Sequence, residues 1–178
     1  MNKENKYFSQ LTEIPDYAHT EPFYKEGSKW TTRHNFELER AHIDSIIIHD
    51  VTLRDGDQTP GSVFLEDERL RIADALAEAR VPRMEAGMPN VSKAVENSMR
   101  RMVARHYPNT KIYSFIRAVE ADVDLSWDIG CDGVIIEYCV NPVIIKHAYQ
   151  KTPQWVVQNL IRCINHAKEV GFHDVVCM

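Results

Sequence analysis

The chain has 178 residues, of which 44% are hydrophobic and 26% charged, and a formal net charge of −5. That length suits one domain of about 100–200 residues, large enough to fold around a core without disulfides or metal. The negative balance, 21 Lys plus Arg against 26 Asp plus Glu, argues against a nucleic-acid binder held by bulk charge.

Residues 1–44 hold many aromatics, among them Tyr7, Phe8, Tyr17, Phe23, Tyr24, Trp30 and Phe36, but no lasting helical or strand period. They are expected to form an N-terminal arm that lies against its own domain or a partner, or a poorly ordered terminus. From Ser45 to Met178 the pattern is regular. Ile46-Ile47-Ile48 is a β-branched apolar run that suits a strand buried on both faces. A polar loop follows from Thr52 to Gly61. Residues 66–80 read as a helix, with Glu66, Asp67 and Glu68 in the first turn and Ile72, Ala73, Leu76 and Ala77 on one face. Val81 to Ala86 reads as the second strand, and Ser92 as the cap of a helix reaching about His106. Lys111 to Ile116 is the third strand, 119–129 a helix ended by Gly130, and Gly133 to Glu137 the fourth strand. A longer loop follows, through Asn141-Pro142. Thr152-Pro153 starts a helix that runs to Val170 and stops at Gly171. Asp174 to Cys177 is the fifth strand.

Alternating short apolar strands and helices imply parallel neighbours. Periodicity leaves two architectures open, a doubly wound open sheet and a (β/α)8 barrel. No G-x-G-x-x-G follows the first strand, which disfavours a dinucleotide-binding domain. No apolar run approaches the roughly 18 residues of a membrane span. The start of the chain lacks the apolar region of a secretory signal, and the four cysteines form no C-x-x-C pair. The expected compartment is the cytoplasm, with no membrane and no nucleic-acid partner.

In either architecture, ligands bind at the carboxyl ends of the strands. After the first strand, His49-Asp50-Val51-Thr52-Leu53-Arg54-Asp55-Gly56-Asp57-Gln58 packs carboxylates, an arginine and an amide together. A carboxylate there can hold a divalent cation. The guanidinium can bind a carboxylate or a developing enolate oxygen. Glu85 falls inside an apolar strand, where an unpaired carboxylate is costly, so it needs a partner such as Arg54 or a metal-bound water. Arg117 and Glu137 follow the third and fourth strands. Convergent polar groups at one end of a sheet fit the pattern of an active site.

Asp50 to Gly61 (DVTLRDGDQTPG) closely resembles the signature D-x-T-L-R-D-G-x-Q-x-P-G. That signature belongs to the Claisen-condensing branch of the DRE-TIM metallolyases, the pyruvate carboxyltransferase domain of 2-isopropylmalate, homocitrate and citramalate synthases. Glu85-Ala86-Gly87-Met88-Pro89 is similar to the family's E-x-G-x-P motif. Phe115 to Ala118 with Asp122-Val123-Asp124, and Lys146-His147 to Thr152, are similar to two later segments. The resemblance covers roughly Ser45 to Met178. It implies an α/β fold, a (β/α)8 TIM barrel represented here by about its first five strands and four helices. It further implies an acyltransferase that condenses acetyl-CoA with an α-keto acid at a divalent metal, Mg²⁺, Mn²⁺ or Zn²⁺. Carried over residue by residue, Asp55 would be a metal ligand and Arg54 would stabilise the keto-acid carbonyl and the enolate. Glu85 would pair with Arg54 or contact substrate, and Gln58 and Arg117 would support the substrate site. The family completes its metal site with an H-x-H pair, which this chain lacks, and Phe115 stands where homocitrate synthases carry histidine, which counts against homocitrate synthase and leaves isopropylmalate-like or citramalate-like enzymes. Arg80 stands where glycine is frequent. A superfamily lyase or aldolase, or a non-catalytic half-barrel that binds a full-length relative, are the competing expectations. The expected protein partner is a second copy or a complementing C-terminal half of the barrel.

Overall fold

The computed structural model describes residues 46–178; the expectation for an N-terminal arm over 1–44 lies outside them. The described chain runs β1 (His49–Asp50), a 3-10 turn (Gly56–Gln58), α1 (Glu66–Glu78), β2 (Arg83–Gly87), α2 (Lys93–Val103) and β3 (Lys111–Arg117). It continues through α3 (Glu120–Ile129), β4 (Gly133–Glu137), α4 (Pro142–His147), α5 (Pro153–Val170) and β5 (Asp174–Cys177). The five strands form one parallel sheet in the order β1-β2-β3-β4-β5. A doubly wound sheet reverses its strand order at a switch point. This sheet never does, and it curls into a half-barrel with its helices on one side. The fold is a partial TIM barrel.

Local sequence accounts for most boundaries. Ser92 Oγ accepts from Val95 N at the start of α2, and Thr152 Oγ1 accepts from Trp155 N at the start of α5, with Pro153 in the first helical position. Each cap satisfies an amide that a helix start otherwise leaves open. Gly130 ends α3 in a left-handed conformation, φ 90°, which costs glycine little.

Strand alternation sorts the core into two faces. Met84, Ala86, Ile112, Ile116, Val134 and Ile136 pack with Ala73, Met99, Met102, Val123, Cys163 and Ala167 from the helices. Tyr113, Phe115 and Ile135 form a second cluster, with Met88 and Val176 against it, on the concave face. β3 is therefore buried from Ile112 to Ile116 on both sides.

Two expectations are corrected. Ile46, Ile47 and Ile48 are exposed by 81%, 57% and 63%, and β1 comprises only the two residues that follow them. Among the described residues β1 pairs with β2 alone, so no second neighbour covers the isoleucine run. The expected long loop after β4 contains α4, capped by Asn141 Oδ1 accepting from Val143 N. Six residues are too few for a helical period to show in sequence.

Candidate functional site

The carboxyl end of the half-barrel is organised by a buried arginine that the motif does not single out. The Arg69 side chain is 2% exposed. Its Nη2 donates to Leu53 O at 2.8 Å and Ala86 O at 2.6 Å, its Nη1 to Asp57 Oδ2 at 2.7 Å, and its Nε to Ser98 Oγ at 3.1 Å. One guanidinium thus ties the loop after β1, the end of β2 and α2 together. Burial lowers its pKa, and the Asp57 carboxylate opposes that shift. Asp57 Oδ1 also accepts from Phe64 N, closing the loop onto the start of α1. A Cβ at position 87 would lie 2.6 Å from Arg69 Nη2, so the glycine after Ala86 leaves the space that Arg69 occupies.

On this scaffold the expected residues converge in part. Arg54 and Glu85 meet: Arg54 Nε donates to Glu85 Oε2 at 2.5 Å, with side-chain exposures of 10% and 5%. The partner of Glu85 is therefore Arg54. The parallel register shifts between Glu85 and Gly87, an irregularity of the kind that re-aims side chains beside sites. Arg54 Nη1 donates to Asp55 Oδ1 at 2.7 Å. The guanidinium also lies over the Phe115 ring, 4.3 Å from its centroid, a favourable cation–π position. Among the described residues only Nε and Nη1 of Arg54 have hydrogen-bond partners, and its remaining donors are free for a ligand. Gln58 Nε2 reaches Met88 Sδ at 3.3 Å. A cavity of about 180 Å³ opens between Arg54, Gln58 and Met88.

Arg117 stands apart from this pair. Its Nε and Nη2 bond both oxygens of Asp122 at 2.8 Å, and that bond raises its pKa. Asp55 is 65% exposed at its side chain. It offers one carboxylate, and among the described residues no three His, Cys, Asp or Glu side chains gather in a cluster able to hold a metal. A cation there needs the rest of its ligands from elsewhere, so the described residues do not make a metal site by themselves. A larger cavity, about 710 Å³, lies at the opposite, amino end of the sheet beside Arg83, Thr110 and Lys111, away from this chemistry.

Two neighbours of the pair lie outside the sequence motifs. Arg69 is one; an arginine at helical spacing on the apolar face of α1 was its only signal. His49 is the other, with Nε2 3.3 Å from Glu85 Oε1; its place at the strand end was the signal.

Among the described residues no helix is long and apolar enough to cross a membrane. Cys131, Cys139, Cys163 and Cys177 are all unpaired.

The sequence pattern of the HMGL-like family matches residues 45–177. Homocitrate synthase AksA of Methanopyrus kandleri is 35% identical over 128 residues, 72% of this chain and 32% of that protein. 2-Isopropylmalate synthase 2 of Caldanaerobacter subterraneus is 34% identical over 128 residues, 72% of this chain and 33% of that protein. (R)-Citramalate synthase CimA of Methanocaldococcus jannaschii is 33% identical over 124 residues, 70% of this chain and 25% of that protein. The chain thus spans about a third or less of the length of these curated relatives. The three identities are too close to choose one keto acid, and they add no weight to the argument from Phe115 against homocitrate synthesis.

Proposed function

Because the chain belongs to the HMGL-like family, we propose that it serves an acyltransferase of the 2-isopropylmalate or citramalate synthase type, which condenses acetyl-CoA with an α-keto acid. The observation that carries this reading is the Arg54–Glu85 pair at the carboxyl end of the half-barrel. In that reaction a proton leaves the acetyl methyl, the resulting carbanion adds to the keto carbonyl, and water cleaves the thioester. Negative charge develops on oxygen in the first two steps, and a preorganised donor stabilises it.

Arg54 is that donor. Glu85, Asp55 and the Phe115 ring hold three of its approaches, so its open edge is aimed before substrate arrives. Glu85 keeps the guanidinium oriented, and Gln58 bounds the cavity beside it. Arg117 contributes through Nη1, which has no partner among the described residues. The three relatives are named as synthases, which favours condensation over the reverse cleavage. The unpaired cysteines support a reducing, cytoplasmic setting.

The test is calorimetric titration of the chain with pyruvate and longer α-keto acids, followed by assay of thiol release from acetyl-CoA. R54A is expected to weaken keto-acid binding at least about tenfold, the scale of one lost charge-assisted contact, and also to lower the thermal midpoint, because it leaves the buried Glu85 carboxylate without its partner. R54K is expected to fall between, because an ammonium cannot bridge two oxygens. Equal binding by wild type and R54A would remove Arg54 from the substrate site and the proposal with it.

A further inference from the structure

At the inner end of β1 stands a group that the reaction above leaves unused. His49 Nε2 is buried and has no aligned hydrogen-bond partner, yet it lies 3.3 Å from Glu85 Oε1. An edge-on contact with Tyr113, 5.0 Å between ring centroids, holds the imidazole in place. The other oxygen of Glu85 holds Arg54 Nε. One carboxylate therefore stands between an imidazole and a guanidinium. A buried nitrogen without a partner is costly, and the nearest acceptor is Glu85 Oε1, which a small rotation of either side chain aligns.

We propose that His49 is a positioning residue of this site: its Nε2–H donates to Glu85 Oε1, and the carboxylate so held sets the attitude of Arg54. Both the Nε2–H tautomer and the imidazolium can donate this bond. When a solvent proton adds to Nδ1, the charge of the three groups rises from zero to +1. Glu85 is then drawn toward His49, and its bond to Arg54 Nε slackens. Among the described residues, the charged and titratable groups facing His49 are Glu85 and its register partner Arg83 on β2 and Tyr113 on β3. Tyr113 in turn donates to Asp174 of β5 and lies under Arg83. On the strand of His49 itself, Asp50 is engaged with Thr52. Only the catalytic meaning of this device, aiming Arg54 at a keto acid, rests on the function proposed above.

The experiment follows the Arg54 Nε–H proton by nitrogen-15 NMR on the full chain, with R54K to assign the signal. In wild type, the Arg54 Nε–H shift and the His49 ring shifts are expected to move with one common midpoint as the imidazole titrates. Independent midpoints overturn the proposal, and this arm needs no variant to fold. H49F keeps the ring against Tyr113 and removes the nitrogen; it is expected to speed Nε–H exchange about tenfold. H49Q restores a donor without titration, and is expected to recover slow exchange while losing the midpoint. Equal exchange in all three proteins means that His49 only packs, and overturns the proposal. Pyruvate is then added as a separate arm. If His49 and Arg54 are coupled but pyruvate leaves the Arg54 signal unmoved, the positioning role stands and the substrate reading of Arg54 falls.

Discussion

At Gly87 the backbone adopts φ 138°, and a Cβ there would lie 2.6 Å from Arg69 Nη2 and 2.9 Å from Val95 Cγ1. The two penalties compound, because an L side chain rarely adopts that φ and the atoms in the way belong to a buried, fully engaged guanidinium. Gly87→Ala is expected to destabilise the fold by about 2–4 kcal/mol, as strain and overpacking together do. Gly61→Ala is the control: its φ is 88°, but nothing lies within 4 Å of the added carbon, so only backbone strain of about 1 kcal/mol is expected. Urea unfolding of both variants checks the pair, and equal losses would show that the contact with Arg69 is unimportant. The E-x-G-x-P segment thus has a physical reason for its glycine, which the motif alone does not give. Arg54 shows the converse. Sequence pointed to it, but its partners Glu85 and Phe115 are more than thirty residues away along the chain and needed the fold to bring them near.

Helix starts differ in how well they are capped. Ser92 and Thr152 cap with side-chain oxygens, while the residue at the start of α3, Val119, has none to offer. Ser92→Ala and Thr152→Ala are each expected to cost about 1 kcal/mol. Val119→Ser is expected to add about 0.5–1 kcal/mol, since Val119 is exposed and in extended conformation. Thermal melts of the three proteins check this, and a loss at Val119→Ser would mean its packing outweighs the missing cap. These elements were legible because caps, prolines and helix-ending glycines act within a turn. β4, β5 and α5 fall where Gly133, Asp174 and Thr152-Pro153 predict them. β1 was not, because the burial of Ile46 to Ile48 depends on strands that must come alongside it. α4 was missed because a six-residue helix hardly differs in sequence from a polar loop with one proline.

Over the whole molecule, groups that are neutral when buried link stability to pH. Burial pushes the Cys131 thiol up to about 12 from an ordinary value near 9. Burial and bonds to Asp74 and Asp174 likewise raise Tyr107 and Tyr113. The folded state holds these protons more tightly than the unfolded chain does. Their contribution is therefore complete below about pH 9 and is lost as pH climbs toward 12. The chain is expected to lose stability over that window, and Cys131→Ala to flatten the loss. Denaturant midpoints from pH 8 to 11 measure it; an unchanged slope in Cys131→Ala would show that the thiol does not titrate with unfolding. The sheet has one open edge at β1 and one at β5 among the described residues.

The amino-acid sequence by itself determined the alternation of strands and helices, most of their boundaries, and the family, through the run from Asp50 to Gly61 and through Glu85 to Pro89. All of these are local: a cap, a period or a motif is complete within a few residues. It left open whether the parallel sheet is doubly wound or barrel-like, what neutralises Glu85, and what stands beside it. Tertiary structure decided those. An unreversed strand order excludes the doubly wound sheet, Arg54 takes the carboxylate, Arg69 clamps the two loops, and His49 faces the remaining oxygen. The reason is reach, since each of these contacts joins residues a dozen or more positions apart along the chain, and pairings at that range arise only when the sheet assembles. A length of 178 residues suits one domain, and what residues 46–178 build is an α/β half-barrel.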